Sequence, residues 1–147
     1  MNKANIKKEI VKLQLKKIEE YEFANKQYWS QMDLQEDETK DPEDYSHSNE
    51  ANEIRENYQA KINDAKLELN LIKNLPEEET SSVDFGSIVK TDRGVFFISV
   101  SGYTVLEDGI EIMTISAKAP IFSSMQGLKK GDSFVFKDNQ YKITNVM

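Results

Sequence analysis

The first half of the chain contains two long runs in which apolar residues recur every three or four positions. The first run extends from about Lys3 to Met32 without Gly or Pro, and the second extends from Ala51 to the residue before Pro76. Such spacing gathers apolar side chains into one stripe of a helix. Two helices of this kind bury their stripes by folding against each other. The pattern therefore predicts an antiparallel helical coiled-coil hairpin at residues 1–75, about 40 Å long at roughly 1.5 Å per residue.

The apolar positions of the two runs can be assigned to stripes. One stripe of the first run contains Val11, Leu15, Ile18, Tyr21, Tyr28 and Met32, and the stripe beside it contains Ile6, Ile10 and Leu13. The second run gives one stripe of Ala51, Ile54, Tyr58, Ile62, Ala65, Leu69, Ile72 and Leu75. Tyr28 and Trp29 are expected to pack within the hairpin, with a contact to a partner as the alternative.

Negative charge is concentrated between the two runs. The chain of 147 residues has a formal net charge of -7, and residues 33–44 alone contain seven carboxylates and one lysine. These twelve residues, called the tip below, would lie at the end of the hairpin. Because the remainder is nearly balanced, the chain is not expected to wrap nucleic acid or to bind an anionic membrane.

The composition also excludes several kinds of site. The chain has no Cys and one His, His47, which rules out disulfides, thiolate zinc sites, cysteine nucleophiles and schemes that need two imidazoles. Lysines interrupt the apolar pattern at the amino terminus, so no signal peptide or membrane span is expected. The sequence predicts a soluble, cytoplasmic protein that is monomeric.

The second half of the chain is predicted to form a separate β module at residues 85–147, after a linker at residues 76–84. Short β-branched and aromatic runs alternate there with turn residues, and Pro120 can start a short helix at residues 121–125, which Gly127 terminates. The predicted strands are residues 86–91, 95–101, 110–116, 133–136 and 141–146. The predicted core contains Phe96, Ile98, Ile112, Ile115, Phe134, Val135 and Ile143. The predicted fold is α+β: a helical hairpin followed by a small antiparallel sheet with one short helix.

The β module contains a motif that resembles a known family. Ile115-Ser116, Pro120-Ile121, Gly127 and Gly131-Asp132 have the spacing of the carboxy-terminal signature of the bacterial GreA/GreB transcript-cleavage factors. The run Phe85-Gly86-Ser87-Ile88-Val89 is similar to the family's first strand, and a helical hairpin with an acidic tip also precedes the β module in that family. The resemblance implies an FKBP-like carboxy-terminal domain that docks on RNA polymerase, while the hairpin enters the secondary channel.

The resemblance also implies roles for particular residues. Polymerase binding would involve Ser116, Pro120, Ile121, Gly127, Gly131 and Asp132. At the tip, Asp41 and Asp44 match the family's Asp and Glu, with Glu43, Glu38 and Asp37 as neighbouring candidates for the same role. These carboxylates would help to hold a Mg²⁺ ion jointly with RNA polymerase, because hard oxygen ligands suit this ion and two metals assist phosphodiester hydrolysis. No tightly bound cofactor and no catalytic residue of the chain's own are expected, so it would not be an enzyme but would stimulate cleavage by the polymerase.

The sequence leaves several interpretations of the tip and of the whole chain possible. The Gly, Ser, Asn and Ala of the family's tip motif are replaced, which permits a second hypothesis: a Gre-like regulator that binds polymerase without supporting cleavage and acts as an inhibitor or a modulator of initiation. A third is a coiled-coil adaptor for another protein. Indirect contact with nascent RNA or DNA is a further possibility. A calcium loop is disfavoured because Glu38 occupies the sixth position, where such loops need Gly.

Overall fold

A computed structural model describes the backbone of residues 1–33 and 42–147 and the side chains of residues 1–30 and 49–147. Two long helices come first, followed by six strands and one short helix, so the predicted α+β class is confirmed. The elements are α1 (Lys3–Asp33), α2 (Pro42–Lys73), β1 (Ile88–Thr91), β2 (Val95–Ser99), β3 (Thr104–Glu107), β4 (Ile110–Ser116), α3 (Pro120–Met125), β5 (Ser133–Phe136) and β6 (Asn139–Val146). None of the helices within the described ranges is long and apolar enough to cross a bilayer.

The chain divides into two compact units. One unit, the sheet unit, contains Met1–Leu13 together with Asn70–Met147, and the other, the helical unit, contains Gln14–Leu69. The first turns of α1 and the last turn of α2 therefore belong to the same unit as the sheet. The domain boundaries predicted from the sequence, 1–75, 76–84 and 85–147, stay a prediction.

The helical unit pairs α1 and α2 in antiparallel fashion. Contacts join residues that advance along α1 to residues that move back along α2: Gln14 to Ala65 and Glu68, and Tyr28 to Tyr58. The buried seam contains Ile18, Ile62, Ala65 and Leu69. Burial of these stripes supplies the main favourable free energy for two helices that are polar elsewhere.

The α1 side of this seam differs from the prediction at two neighbouring positions. Leu15, expected in the stripe, is 45% exposed, whereas Gln14 is fully buried. The Gln14 side-chain amide donates to the carbonyl of Ala65 at 2.8 Å and to Glu68 Oε2 at 3.0 Å. These hydrogen bonds offset the cost of burying a polar group, which explains why a glutamine occupies the seam.

The seam can be tested by truncating one of its residues. Ile62→Ala should lower the free energy of unfolding by about 2–5 kcal/mol, because Ile62 is only 3% exposed and truncation leaves a cavity. Leu67→Ala is the matched control, because Leu67 lies on the same helix and is 63% exposed. Its effect should stay within about 0.5 kcal/mol. Urea unfolding followed by circular dichroism measures both, and equal losses would contradict the assigned seam.

The sheet unit contains one six-stranded sheet in the order β3-β4-β2-β1-β6-β5. Four of its neighbouring pairs are antiparallel, but β2 and β4 are parallel, with Val95 beside Ile112 and Ser99 beside Ser116. The sheet is therefore mixed, with one parallel pair in a sheet that the sequence predicted to be antiparallel. The cause is that the chain leaves β2, forms β3 at the edge, and returns as β4 between the two.

Two details of the β module were also predicted incorrectly. β3 was not expected, because its four residues before the Glu107-Asp108-Gly109 turn are a weak strand signal. Val135, expected in the core, is 62% exposed. Successive side chains of a strand point to opposite faces, so Val135 points away from the core that buries Phe134.

Each face of the sheet is covered by a different hydrophobic cluster. On one face the ends of the long helices contribute Ile6, Ile10, Ile72 and Leu75, which pack with Ile88, Val95, Phe97, Val100, Val105 and Ile112. On the other face α3 contributes Phe122 and Met125, which pack with Val83, Val89, Phe96, Ile98, Ile115, Phe134 and Ile143. A sheet buried on both faces gives this unit two cores despite its small size.

Polar contacts fasten the chain after α2 to the first turns of α1. Lys7 Nζ donates to the carbonyl of Leu75 at 3.2 Å and to Glu77 Oε1 at 3.1 Å, and Lys3 Nζ donates to the carbonyl of Glu78 at 2.9 Å. Burial lowers the pKa of Lys3, with Glu79 acting in the opposite direction. The beginning of the predicted linker is thus bound along α1 within the sheet unit.

Candidate functional site

The side chains of the predicted metal-ligating carboxylates of the tip are not among those that the structure describes. Asp37, Glu38 and Asp41 lie outside the described residues. Glu43 and Asp44 follow Pro42 in the first turn of α2, but their side chains also lie outside the described set. Proline suits the first position of a helix, because its missing N–H would have no helical partner there. Among the side chains that are described, no group of three His, Cys, Asp or Glu residues could hold a metal ion.

Aromatic and cationic side chains join the helices close to the tip. The ring centroids of Tyr28 and Tyr58 lie 5.7 Å apart, and the guanidinium carbon of Arg55 lies 3.3 Å from the centre of the Trp29 ring. Trp29 remains 42% exposed. The expectation that Tyr28 and Trp29 pack within the hairpin is confirmed, and these contacts hold α1 against α2 within two turns of Asp33.

A shallow groove of about 260 Å³ runs beside these aromatic residues in the helical unit. Its lining contains Glu22, Asn25, Lys26, Trp29, Gln59, Ile62 and Lys66. Lys66 is paired with Glu22 at 3.3 Å, and Asn25 Oδ1 is buried without a hydrogen-bond partner among the described residues. The groove is therefore polar with one aromatic wall, and the charges of Lys66 and Glu22 largely cancel.

The stacked pair near the tip gives a prediction about local stability. Trp29→Ala and Arg55→Ala should show a coupling free energy of about 0.5–1 kcal/mol in a double-mutant cycle, because a guanidinium over a partly exposed indole gains this much. Chemical unfolding of the wild type, both single variants and the double variant measures the coupling. Additive effects of the two substitutions would show that the stack contributes nothing.

The signature segment turns the chain from β4 into α3. Ser116 lies at the end of β4, where its carbonyl accepts the N–H of Ala119 at 2.9 Å and its Oγ accepts the N–H of Lys118 at 3.1 Å. Pro120 is the first residue of α3 and is exposed, and Ile121 beside it is half-buried. Ser116 therefore has a structural role in this turn, and the exposed part of the segment is centred on Lys118 and Pro120.

The other three signature residues are held by turn geometry. Gly127 and Gly131 have φ values of +77° and +97°, a region that favours glycine. Their N–H groups donate to the carbonyls of Val83 and Ile143, each at 2.8 Å, and Asp132 Oδ2 accepts the N–H of Lys129 at 2.8 Å. These contacts explain the Gly and Gly-Asp pattern, because the turns of the fold require these residues. The predicted role of the six residues in polymerase binding stays a prediction.

The Gly86-Ser87 pair also has a structural explanation. Gly86 has a φ of +86°, and a Cβ atom there would lie 2.7 Å from Pro76 Cδ and 2.8 Å from Pro76 Cγ. Ser87 is fully buried, and its hydroxyl donates to the carbonyl of Asp84 at 2.7 Å. A glycine followed by a small hydroxyl residue is thus required where the chain meets the Pro76 ring.

Sequence reasoning missed one surface feature of this unit. Leu106, Ile110 and Met113, on the hairpin of β3 and β4, are all exposed. Met113 lies between the buried Ile112 and Thr114, and Ile110 lies at the start of the strand on the opposite face. Without β3 nothing indicated an edge at this position. A missed four-residue strand therefore concealed an apolar surface.

Two long antiparallel helices, a six-stranded mixed sheet and one short helix define the class of this protein as α+β. No family model and no curated protein matches the chain. It is similar to a structure of the transcription factor Gfh1, with 14% identity, a TM-score of 0.37 and 92% of each chain covered. It is also similar to a crystal structure of Thermus aquaticus Gfh1, with 16% identity, a TM-score of 0.36 and 92% of each chain covered. Similarity at this level assigns neither a fold family nor a function.

Proposed function

We propose that this chain is a Gre-like transcription elongation factor that binds RNA polymerase through the secondary channel. In this proposal the tip carboxylates, above all Asp41 and Asp44, support Mg²⁺-dependent cleavage of backtracked RNA by the polymerase. The factor acts in the cytoplasm of a bacterium and is not itself an enzyme. Carboxylate oxygens are the ligands that Mg²⁺ prefers, so these residues would supply ligands that a polymerase site lacks.

One observation carries the proposal: the acidic tip and the signature motif occur in the same chain, on elements suited to their roles. Residues 33–44 connect two helices of 31 and 32 residues, and most of the net charge of -7 lies there. The signature residues surround α3 on the sheet unit. Long helices that carry a concentrated charge at one end are a means of delivering carboxylates to a recessed site.

The proposal is tested by direct association with RNA polymerase. Full-length chain carrying a fluorophore should bind purified bacterial core polymerase at low salt, and unlabelled chain should compete. Pro120→Ala together with Ile121→Ser should weaken this binding, whereas Lys137→Ser, in the β5–β6 turn, should not. Absence of association at low salt would contradict the proposal and would favour the coiled-coil adaptor.

A second candidate function is a Gre-like regulator that occupies the channel without supporting cleavage. It is favoured by one observation: Pro42 begins α2, so Glu43 and Asp44 belong to a helical turn. A helical turn limits the positions that a carboxylate can reach, and Asp44 is also one methylene shorter than the family's Glu. Polymerase binding without shortened transcripts would select this candidate over the first.

A further inference from the structure

The seam between α1 and α2 changes in character along the helical unit. All of its buried side chains lie at residues 14–18 and 62–69, and they are Gln14, Ile18, Ile62, Ala65 and Leu69. None of the side chains at residues 19–30 and 49–61 is buried. These last two ranges, which face each other nearer the tip, are called the distal segment below. Burial of apolar surface therefore supplies most of its stabilisation outside the distal segment.

Aromatic rings and cations join the two helices inside the distal segment. Besides the two ring contacts described above, Lys61 Nζ lies 5.9 Å from the centre of the Tyr21 ring on α1 and 5.5 Å from the centre of the Tyr58 ring on α2. The ion pair of Lys66 with Glu22 also joins the helices, and both of its side chains are about half exposed. Contacts of these kinds between solvent-exposed groups are individually weak. The distal segment is thus closed by several weak surface contacts.

One polar atom of the distal segment favours separation of the helices. Asn25 Oδ1 is buried and has no hydrogen-bond partner among the described residues. A buried acceptor without a donor has lost its hydrogen bond to water, and it regains that bond when the helices separate. Gln14 differs, because its side-chain amide donates to two acceptors on α2 at 2.8 and 3.0 Å. Burial of a polar side chain is therefore compensated at Gln14 and not at Asn25.

The helical backbone of the distal segment depends on this pairing. A helical stretch of about 12–15 residues or fewer is marginal in water without packing, and neither stretch of the distal segment is longer than that. Separation of the two stretches should therefore be followed by unwinding. Unwound backbone amides exchange their hydrogens with solvent, so the separation is measurable.

We propose that the distal segment opens as a local unit, in which its two stretches separate while residues 14–18 and 62–69 stay paired. The boundary lies at Ile18 and Ile62, the buried aliphatic residues nearest to the tip. Because the tip is part of the chain that connects the two stretches, opening also releases its two ends from each other. The fold thus contains a two-state device that controls how the tip is presented. This inference follows from the helical unit alone and does not rest on the proposed function.

Native-state hydrogen exchange of the full chain tests the proposal. Protection factors of amides in the distal segment should be at least 100-fold lower than those at residues 14–18 and 62–69, with a step at Ile18 and Ile62. Low concentrations of urea should accelerate exchange of all distal amides along one common dependence, because a cooperative opening exposes the same surface for each of them. Equal protection in both parts would overturn the proposal. So would distal exchange that does not depend on urea, which indicates fraying one residue at a time.

Asn25→Leu tests the cause of the opening. The change removes the unsatisfied acceptor and adds aliphatic surface between the helices, so protection of the distal amides should rise about tenfold. Asn57→Leu is the matched control, because Asn57 is exposed on α2 within the distal segment and the gain in helix propensity is the same. The control should raise protection no more than about twofold. Equal increases in the two variants would contradict control of the opening by the seam, and circular dichroism verifies that both remain helical.

A second pair of variants tests the surface contacts. Trp29→Ala and Phe23→Ala both exchange an aromatic residue of α1 for alanine, but only Trp29 has a guanidinium over its ring. Phe23 is 65% exposed and has no ring contact with any described residue. Exchange of the distal amides should therefore be about 2- to 5-fold faster in Trp29→Ala than in Phe23→Ala, with no difference at residues 62–69. Equal exchange in the two variants, or a difference of the same size at residues 62–69, would contradict closure of the distal segment by these contacts.

Discussion

Asp41→Ala and Asp44→Ala should each reduce the rate of transcript cleavage in stalled polymerase complexes by about 10- to 100-fold. Losses of this size are typical when a group that holds or orients a metal is removed. Each substitution should change the free energy of unfolding by no more than about 1 kcal/mol, because relief of repulsion among crowded carboxylates opposes the loss of a favourable negative charge at the start of α2. The measurement is the appearance of shortened RNA after addition of each purified variant at saturating concentration.

The matched control for the tip variants is Glu56→Ala. Glu56 is an exposed carboxylate on α2, outside the tip, and its removal makes the same change in charge. Cleavage with this variant should equal that of the wild type. If Asp41→Ala and Asp44→Ala also cleave like the wild type, the assignment of these two residues is wrong, and Glu43, Glu38 and Asp37 become the next variants.

Gly86→Ala should lower the free energy of unfolding by about 2–5 kcal/mol. A left-handed backbone conformation costs a residue with a Cβ atom about 1–2 kcal/mol, and overpacking of a close contact costs about 1–3 kcal/mol more. The close contact is with Pro76, whose ring atoms would lie 2.7 and 2.8 Å from the new Cβ atom. A covalently fixed ring cannot rotate away as a flexible side chain would. Denaturant unfolding measures the loss.

A second glycine separates the two causes of this destabilisation. Gly109 has a φ of +76°, close to that of Gly86, and no heavy atom of the described residues lies within 4 Å of its Cβ position. Gly109→Ala should therefore cost only the backbone component, about 1–2 kcal/mol. The difference between the two variants gives the contribution of the Pro76 contact. Equal losses would mean that Pro76 moves freely and that the Gly86 contact has no special role.

Local patterns in the sequence were sufficient to predict most of the elements. The spacing of three and four residues located α1 and α2, because each helix exposes one polar face to water. Turn residues located β4, α3 and β5 to within a residue of their observed bounds. The apolar spacing and the turn residues are both local signals. They depend only on which side of a segment faces water and on the backbone angles of its turns.

Features that depend on distant parts of the chain were not predictable in the same way. The parallel pairing of β2 with β4 follows from the position of β3 at the edge, and β3 is too short to give a clear pattern. The burial of Gln14 in place of Leu15 depends on acceptors 51 and 54 residues away. In both cases the decisive contact joins residues far apart in the sequence.

The candidate site shows the same contrast between local sequence patterns and contacts of residues far apart in the chain. The charge count located the tip from the sequence, and the structure explains the signature residues Gly127, Gly131 and Asp132 through the turns that they form. The shared exposed face of Leu106 and Met113 became visible only once the register of β3 and β4 was known. Surfaces made by neighbouring strands therefore require the fold, whereas a concentrated charge does not.

The absence of cysteine allows the tip to be located directly in a complex with RNA polymerase. A Glu38→Cys variant of the full chain would carry a tethered iron chelate that generates hydroxyl radicals, with Lys137→Cys in the β5–β6 turn as the matched control. The tip label should cut the polymerase beside its catalytic metal site, and the control label should cut only the outer surface. Cuts from Glu38→Cys that are absent from the catalytic region, or identical to those of the control, would contradict entry of the tip into the channel.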